Sequence, residues 1–405
     1  MLRCVQIVVW IGISASLGWA QVVGPVPRIP PGMKAVEGKY HVLIHDLSPD
    51  EETEVLIRLQ AMVEEYFLRT REFSGRLDRK LPFYLFRNAE DYYREGGLPR
   101  SGGVFAGDRL MAIAGPELTR KTWNIIQHEG FHQFAAAVIN RNLPVWVNEG
   151  LAEYFGEAVY TGDGFISGTI PQDRLTRLQK LIRENQTRTI DQMMRMTHAQ
   201  WQAEMDTVNY DMAWAMVHFL AHGEDGKYQQ AFGRWMIALN RGRPPELAWR
   251  EIFGSSDGFE QRFRNWWTDP KRTASVDVYA RSATQMLTSY LARAVSQKQS
   301  FTELEPFLSA IEDGRIGSYR SDPLPPSLAR DCVELTRALV KTGATITIGS
   351  IPSEKNPRQT IPGVRCVLTD GTVITGTYKL RNNRVEWVGT EIKMVKSDRP
   401  VRSDK

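Results

Sequence analysis

Two histidines four residues apart, with a glutamate beside the first, stand in the run Gln127-His128-Glu129-Gly130-Phe131-His132-Gln133-Phe134. On a helix, residues i and i+4 share a face, so the imidazoles of His128 and His132 can point at one metal ion. Glu129 sits one position round, within reach of a water bound to that ion. Glu149 follows after sixteen intervening residues, in Val145-Trp146-Val147-Asn148-Glu149-Gly150-Leu151-Ala152-Glu153-Tyr154-Phe155. Two imidazoles plus one carboxylate are a zinc set that leaves a fourth position open for water, which marks catalytic rather than structural use.

Those residues need two helices. Trp123, Ile125, Ile126, Phe131, Phe134, Ala135 and Val138 form an apolar stripe, and no proline falls between Pro116 and Pro144, which predicts one continuous helix carrying the histidines. A polar loop (Asn140, Arg141, Asn142) and Pro144 end it, and a second helix starting near Asn148 places Glu149 in its first turn.

The two blocks, taken in this order and spacing, resemble the gluzincin metallopeptidases. The second is similar to the Asn-Glu-Gly-Phe-Ala block of aminopeptidase N-like enzymes. The pair more closely resembles exported bacterial proteins that carry a peptidase MA-like domain, over roughly Leu81 to Trp267. The resemblance implies a thermolysin-like α+β module: an N-terminal mixed sheet, the His-Glu-x-x-His helix and a helical C-terminal subdomain. It implies one zinc per chain held by His128, His132 and Glu149, with Glu129 as general base. Glu153, one turn beyond Glu149, stands where related enzymes place a carboxylate that orients a ligand histidine. For the oxyanion donor it implies a Tyr or His on a later helix. Tyr210 opens the corresponding helix, and His218, two turns along, is the alternative or else a packed histidine. An edge strand preceding the metal helix pairs with extended substrate in these enzymes. Arg109, Leu110, Met111, Ala112, Ile113 and Ala114 occupy that place, or form an ordinary interior strand.

Composition sets the wider frame. The 405 residues are 42% hydrophobic and 24% charged, with a net charge of +4. That is ordinary globular usage, with no basic run of nucleic-acid type. Met1 to Ala20 reads as a cleavable signal peptide: Arg3, an apolar run from Val5 to Leu17, then Gly18-Trp19-Ala20. No later stretch has the ~20 apolar residues of a spanning helix, so the expectation is an extracytoplasmic protein, periplasmic or secreted, with no membrane span after cleavage. Outside the signal, Cys332 and Cys366 remain. An oxidising compartment makes them either one bridge or two separate thiols.

Along the chain, residues 21–38 are a proline-rich lead-in and 39–270 the catalytic module. Residues 271–343 are helical, 344–396 a small β unit and 397–405 a charged tail. His41 and His45 lie on one strand about 13 Å apart, too far to share a metal, and read as sheet residues. The loop 160–168 reads as a rim element, and His198 and His222 as surface residues. The expected function is zinc-dependent hydrolysis of peptide bonds in a peptide or protein substrate. The alternative is a catalytically silent, zinc-bearing peptide-binding or scaffolding protein of the cell envelope. Glu129 favours the enzyme, because a binding module needs metal ligands but no base. The absence of a Gly-Ala-Met-Glu-Asn-type motif disfavours aminopeptidase action.

Overall fold

A computed structural model describes residues 27–204, 206–269, 275–317, 324–352 and 359–393. The residues read as a signal peptide and as a charged tail, and part of each proline-marked break at 269–272 and 322–326, lie outside these residues.

The first layer is a five-stranded mixed sheet. β1 (Lys34–Glu37) and β2 (His41–His45) are antiparallel. Helix α1 (Pro49–Thr70) crosses to β3 (Leu81–Phe86), parallel to β2. It begins at a Ser48–Glu51 capping box with Pro49 in its first turn, satisfying donors that an uncapped helix leaves open, and it buries Val55, Leu59, Met62, Val63 and Tyr66. After the short α2 (Ala89–Arg94) come β4 (Gly103–Ala106) and β5 (Arg109–Ile113), an antiparallel hairpin turning at Gly107 with φ 68°. The strand order is β1-β2-β3-β5-β4. β5 therefore lies inside the sheet, parallel to β3, and β4 is the open edge. Arg109 to Ala114 is thus not the edge strand, a correction to the sequence reading. The apolar run of Leu110, Met111 and Ala112, buried on both faces, is the pattern of an interior strand.

Helices α3 (Arg120–Val138) and α4 (Val145–Gly156) follow. Thr119 caps α3 by accepting from the Thr122 N–H. A two-stranded hairpin, β6 (Val159–Tyr160) and β7 (Phe165–Ile166), leads into α5 (Gln172–Arg183), α6 (Ile190–Arg195), α7 (His198–Glu204) and the apolar α8 (Thr207–Gly226). Gly150 lets α4 approach α8: a Cβ there would lie 2.3 Å from the Ala213 carbonyl oxygen. Helices α9 (Gln229–Asn240), α10 (Pro245–Phe253) and α11 (Ser256–Thr268) complete one continuous core in which Trp146, Trp214, Trp235, Trp249 and Trp267 are buried.

A second core joins α12 (Val276–Ser296), α13 (Leu304–Glu312) and α14 (Pro326–Lys341) to an antiparallel sheet of β8 (Thr345–Pro352), β9 (Thr360–Val367), β10 (Val373–Arg381) and β11 (Arg384–Lys393). The 160–168 loop is not a free rim. Val159 and Tyr160 pack into this second core, and Asp163 meets the buried Arg293 at 3.2 Å. Arg58 of α1 bonds Ser327, and Arg330 reaches Glu117 just ahead of α3. Cys332 on α14 and Cys366 on β9 are separate buried thiols rather than a bridge, and burial pushes both above the ordinary thiol range. The structure as a whole is mixed α and β.

Candidate metal centre

The convergence begins with how α3 and α4 are held together. Gln127, buried beside His128, donates through Nε2 to the carbonyls of Phe155 (2.9 Å), Gly156 (3.1 Å) and Ala158 (3.0 Å). These are carbonyls at or just past the C-terminus of α4, where helical partners run out. One side chain thereby fixes the end of α4 against the middle of α3.

With the helices so placed, His128 Nε2 lies 3.1 Å from His132 Nε2 and 3.4 Å from Glu149 Oε2, and His132 Nε2 lies 3.5 Å from that same oxygen. Among the described residues, this is the group of three His, Cys, Asp or Glu side chains able to hold a metal ion. Burial opposes the His128 imidazolium, but its hydrogen bonds to the Glu149 and Glu153 carboxylates outweigh this and hold its pKa well above the ordinary value. Burial likewise opposes the Glu149 carboxylate, yet His132 and His128 hold it well below the usual range.

The other side of His128 is also engaged. Its Nδ1 is 3.1 Å from Glu153 Oε1, so the ring presents Nε2 to the centre and Nδ1 to a carboxylate. Glu153 in turn meets Arg174 of α5. Burial would raise the Glu153 pKa, but His128 and Arg174 hold it down to about 2. Arg174 Nε lies 3.3 Å from Asp211 Oδ1 as an ion pair, and Asp211, fully buried on α8, accepts two hydrogen bonds from Arg177.

Glu129 faces the open sheet edge. Its Oε2 accepts the Phe105 N–H at 2.8 Å. Val104 and Met111 are opposite one another in the hairpin, and the Ile113 N–H donates to Gly102. By the alternation of an antiparallel pair, Gly103 and Phe105 turn their backbone groups outward, toward the centre. A Cβ on Gly103 would fall 2.6 Å from Ile125 Cγ2 and 3.3 Å from Glu129 Cγ, so glycine lets β4 lie directly on α3.

A cleft of about 290 Å³ opens over the centre, lined by His128, Glu129 and Glu153, by Lys121, Asn124 and Ile125 of α3, by Gly156 and Glu157, and by Tyr210. Tyr210 stands in the first turn of α8, its ring edge-on to Trp201 at 4.9 Å. Burial raises its pKa, and the Glu149, Glu153 and Glu129 carboxylates add to that. His218 goes elsewhere. It is 2% exposed, packs against Trp214 and Trp267, and donates from Nε2 to the Gly168 carbonyl at 3.2 Å. His222 is not a surface residue: it is half-buried, 2.9 Å from the Tyr154 hydroxyl, and burial lowers its pKa to about 4. His198 is exposed, and His41 and His45 are buried sheet residues.

Sequence reasoning assembled His128, Glu129, His132, Glu149 and Glu153 but passed over Gln127, Arg174, Arg177, Asp211 and strand β4. One signal was available for Asp211: a carboxylate inside an apolar helix demands a buried partner. Nothing in the spacing identified Arg174 as that partner.

No helix among the described residues is long and apolar enough to cross a membrane. No curated protein matches the chain. Residues 123–235, which contain every side chain of the centre and of the Arg174 network, match the family described as a protein of unknown function, DUF1570.

Proposed function

We propose that this chain is an exported zinc-dependent peptidase of the gluzincin type, with a thermolysin-like catalytic module. The observation that carries the proposal is the meeting of His128 Nε2, His132 Nε2 and Glu149 Oε2 beside a carboxylate that is not part of the set. Ligands about 2.0–2.1 Å from a tetrahedral zinc are separated by about 3.3–3.4 Å; the three separations here are 3.1, 3.4 and 3.5 Å. Two nitrogens and one oxygen suit zinc, and a set of three leaves a position for water. Bound there, zinc would lower the pKa of a water toward ~7 and polarise a substrate carbonyl.

The chain's own residues do the rest. His128, His132 and Glu149 bind the ion, and Glu153 holds the His128 ring through Nδ1. Substrate adds as an extended strand along β4, where the Gly103 N–H and carbonyl and the Phe105 carbonyl face the open edge. Glu129 takes a proton from the attacking water and delivers it to the leaving nitrogen. The Phe105 N–H holds Oε2 by a hydrogen bond, which leaves Oε1 for that transfer. Tyr210, on the cleft wall, donates its hydroxyl proton to the oxygen on which charge develops. His218, committed to Gly168, is a packing residue.

The test is to load the purified chain with one equivalent of zinc and present a mixed peptide library. Cleavage that stops on chelation and returns with zinc is expected. A zinc-loaded chain that cleaves nothing in the library would sink the proposal.

A further inference from the structure

Arg174 is a hub. Its guanidinium reaches carboxylates on two helices: Glu153 of α4 through Nη2, and Asp211 of α8 through Nε at 3.3 Å. A third carboxylate, Glu157 at the end of α4, lies 4.0 Å from Nη1. The side chain is 15% exposed and lies 5.2 Å over the Trp214 ring. Arg177, three residues on, touches Asp211 but not Glu153, and its side chain is 43% exposed.

The two helices that meet at Arg174 carry the parts of the site that must be in register. α4 brings Glu149 and Glu153, and α8 brings Tyr210, the residue before Asp211. A flat guanidinium with five donors can hold both carboxylates at once in a fixed geometry; an ammonium has three donors on a compact point charge and a flexible stem, without that rigid fork. Remove the guanidinium and Glu153 loses the partner opposite His128, while Glu153 and Glu157 remain close as like charges. The Glu153 carboxylate is then free to rotate off His128 Nδ1, and the first turn of α8 keeps only the Arg177 tie to α5.

We propose that Arg174 is a positioning residue for the hydrolytic site: by gripping Glu153 and Asp211 together, it fixes the His128 ring for metal binding and sets Tyr210 over the same centre. This rests on the zinc-peptidase reading above.

The experiment compares Arg174→Met, Arg174→Lys and Arg177→Met in the full chain. It measures zinc affinity by chelator competition, kcat and KM on the peptide the wild type cleaves best, and thermal stability. For Arg174→Met, zinc affinity is expected to fall ten- to a hundredfold, the size of effect seen for groups that orient metal ligands. At saturating zinc its kcat stays at least tenfold down with KM little changed, because Tyr210 is still displaced. Arg174→Lys falls between it and the wild type. Arg177→Met, whose side chain touches Asp211 but not Glu153, lowers thermal stability and leaves zinc affinity at the wild-type value. A folded Arg174→Met with wild-type zinc affinity and kcat overturns the inference, as does an Arg177→Met that reproduces the whole loss. If Arg174→Met does not fold, wild-type values in Arg174→Lys overturn it instead. A wild-type chain that takes up no zinc removes the peptidase reading and this inference together. A zinc-loaded, active wild type with an indifferent Arg174 removes the inference alone.

Discussion

The Phe105 N–H donates to Glu129 Oε2 at 2.8 Å, tying the proposed general base to the strand along which substrate is proposed to lie. The bond depends on β4 resting against α3, and that contact depends on Gly103. Gly103→Ala would place a methyl 2.6 Å from Ile125 Cγ2 and 3.3 Å from both Glu129 Cγ and the Met111 carbonyl. Some of this is relieved by turning Ile125, but the strand must still lift. Peptidase activity is expected to fall at least tenfold with zinc content unchanged, since no metal ligand moves. Full activity in Gly103→Ala would mean that β4 does not position the base.

Metal affinity should divide the acidic residues by rank. Glu149→Ala removes a ligand and is expected to abolish stoichiometric zinc binding. Glu153→Ala removes the carboxylate behind His128 Nδ1 and should weaken binding by about 10–100-fold. Chelator competition on the two variants reads this directly. Wild-type affinity in Glu149→Ala would show that the three-residue set is not the metal site.

Tyr210 and His218 separate on kinetics against stability. Tyr210→Phe is expected to lower kcat about 10²–10³-fold with KM little changed, the mark of a donor that acts in the transition state. His218→Ala should leave kcat near wild type and lower thermal stability, because it empties a site among Trp214, Trp266 and Trp267 and removes the bond to Gly168. The reverse pattern would reassign the donor.

Stability should fall on mild acidification. His41 is buried and His222 half-buried, and loss of solvent lowers both pKa values to about 4 from an ordinary 6.5. The unfolded chain therefore binds protons between pH 6.5 and 4 that the folded chain refuses. These two contribute fully above pH 6.5, and their contribution is lost as pH falls through that window, by at most about 3 kcal/mol each. Carboxylates with depressed values act lower down: Glu51, held to about 2 by Arg87, loses its contribution only below about pH 4.5. A melting temperature that stays level from pH 7 to pH 4.5 would contradict the histidine assignment.

What the sequence made legible follows from where periodicity and covalent spacing decide the outcome. His128 and His132 had to share a helical face, and Pro144 had to end the first helix before Glu149. The order of the last three strands was readable from Thr369-Asp370-Gly371 and Arg381-Asn382-Asn383, turn residues between alternating segments. Long-range choices were not readable. Hairpin spacing is the same whichever strand, β4 or β5, pairs with β3, so the edge was misassigned. Arg174 and Asp211 are 37 residues apart in sequence and meet only where α5 lies against α8. Cys332 and Cys366 satisfied every compositional condition for a bridge, yet α14 and β9 bury them separately.

The measurement that bears most directly on the peptidase proposal is a paired one on wild type and Glu129→Gln: zinc content per chain, and cleavage of the same peptide library. Glutamine keeps the size of the side chain and can still accept the Phe105 N–H, but it cannot take a proton from water. The expected result is one zinc in both proteins and cleavage in the wild type alone. Equal cleavage by both would contradict Glu129 as the base, and one zinc in both with cleavage by neither would leave a metal-bearing binding protein in place of a peptidase.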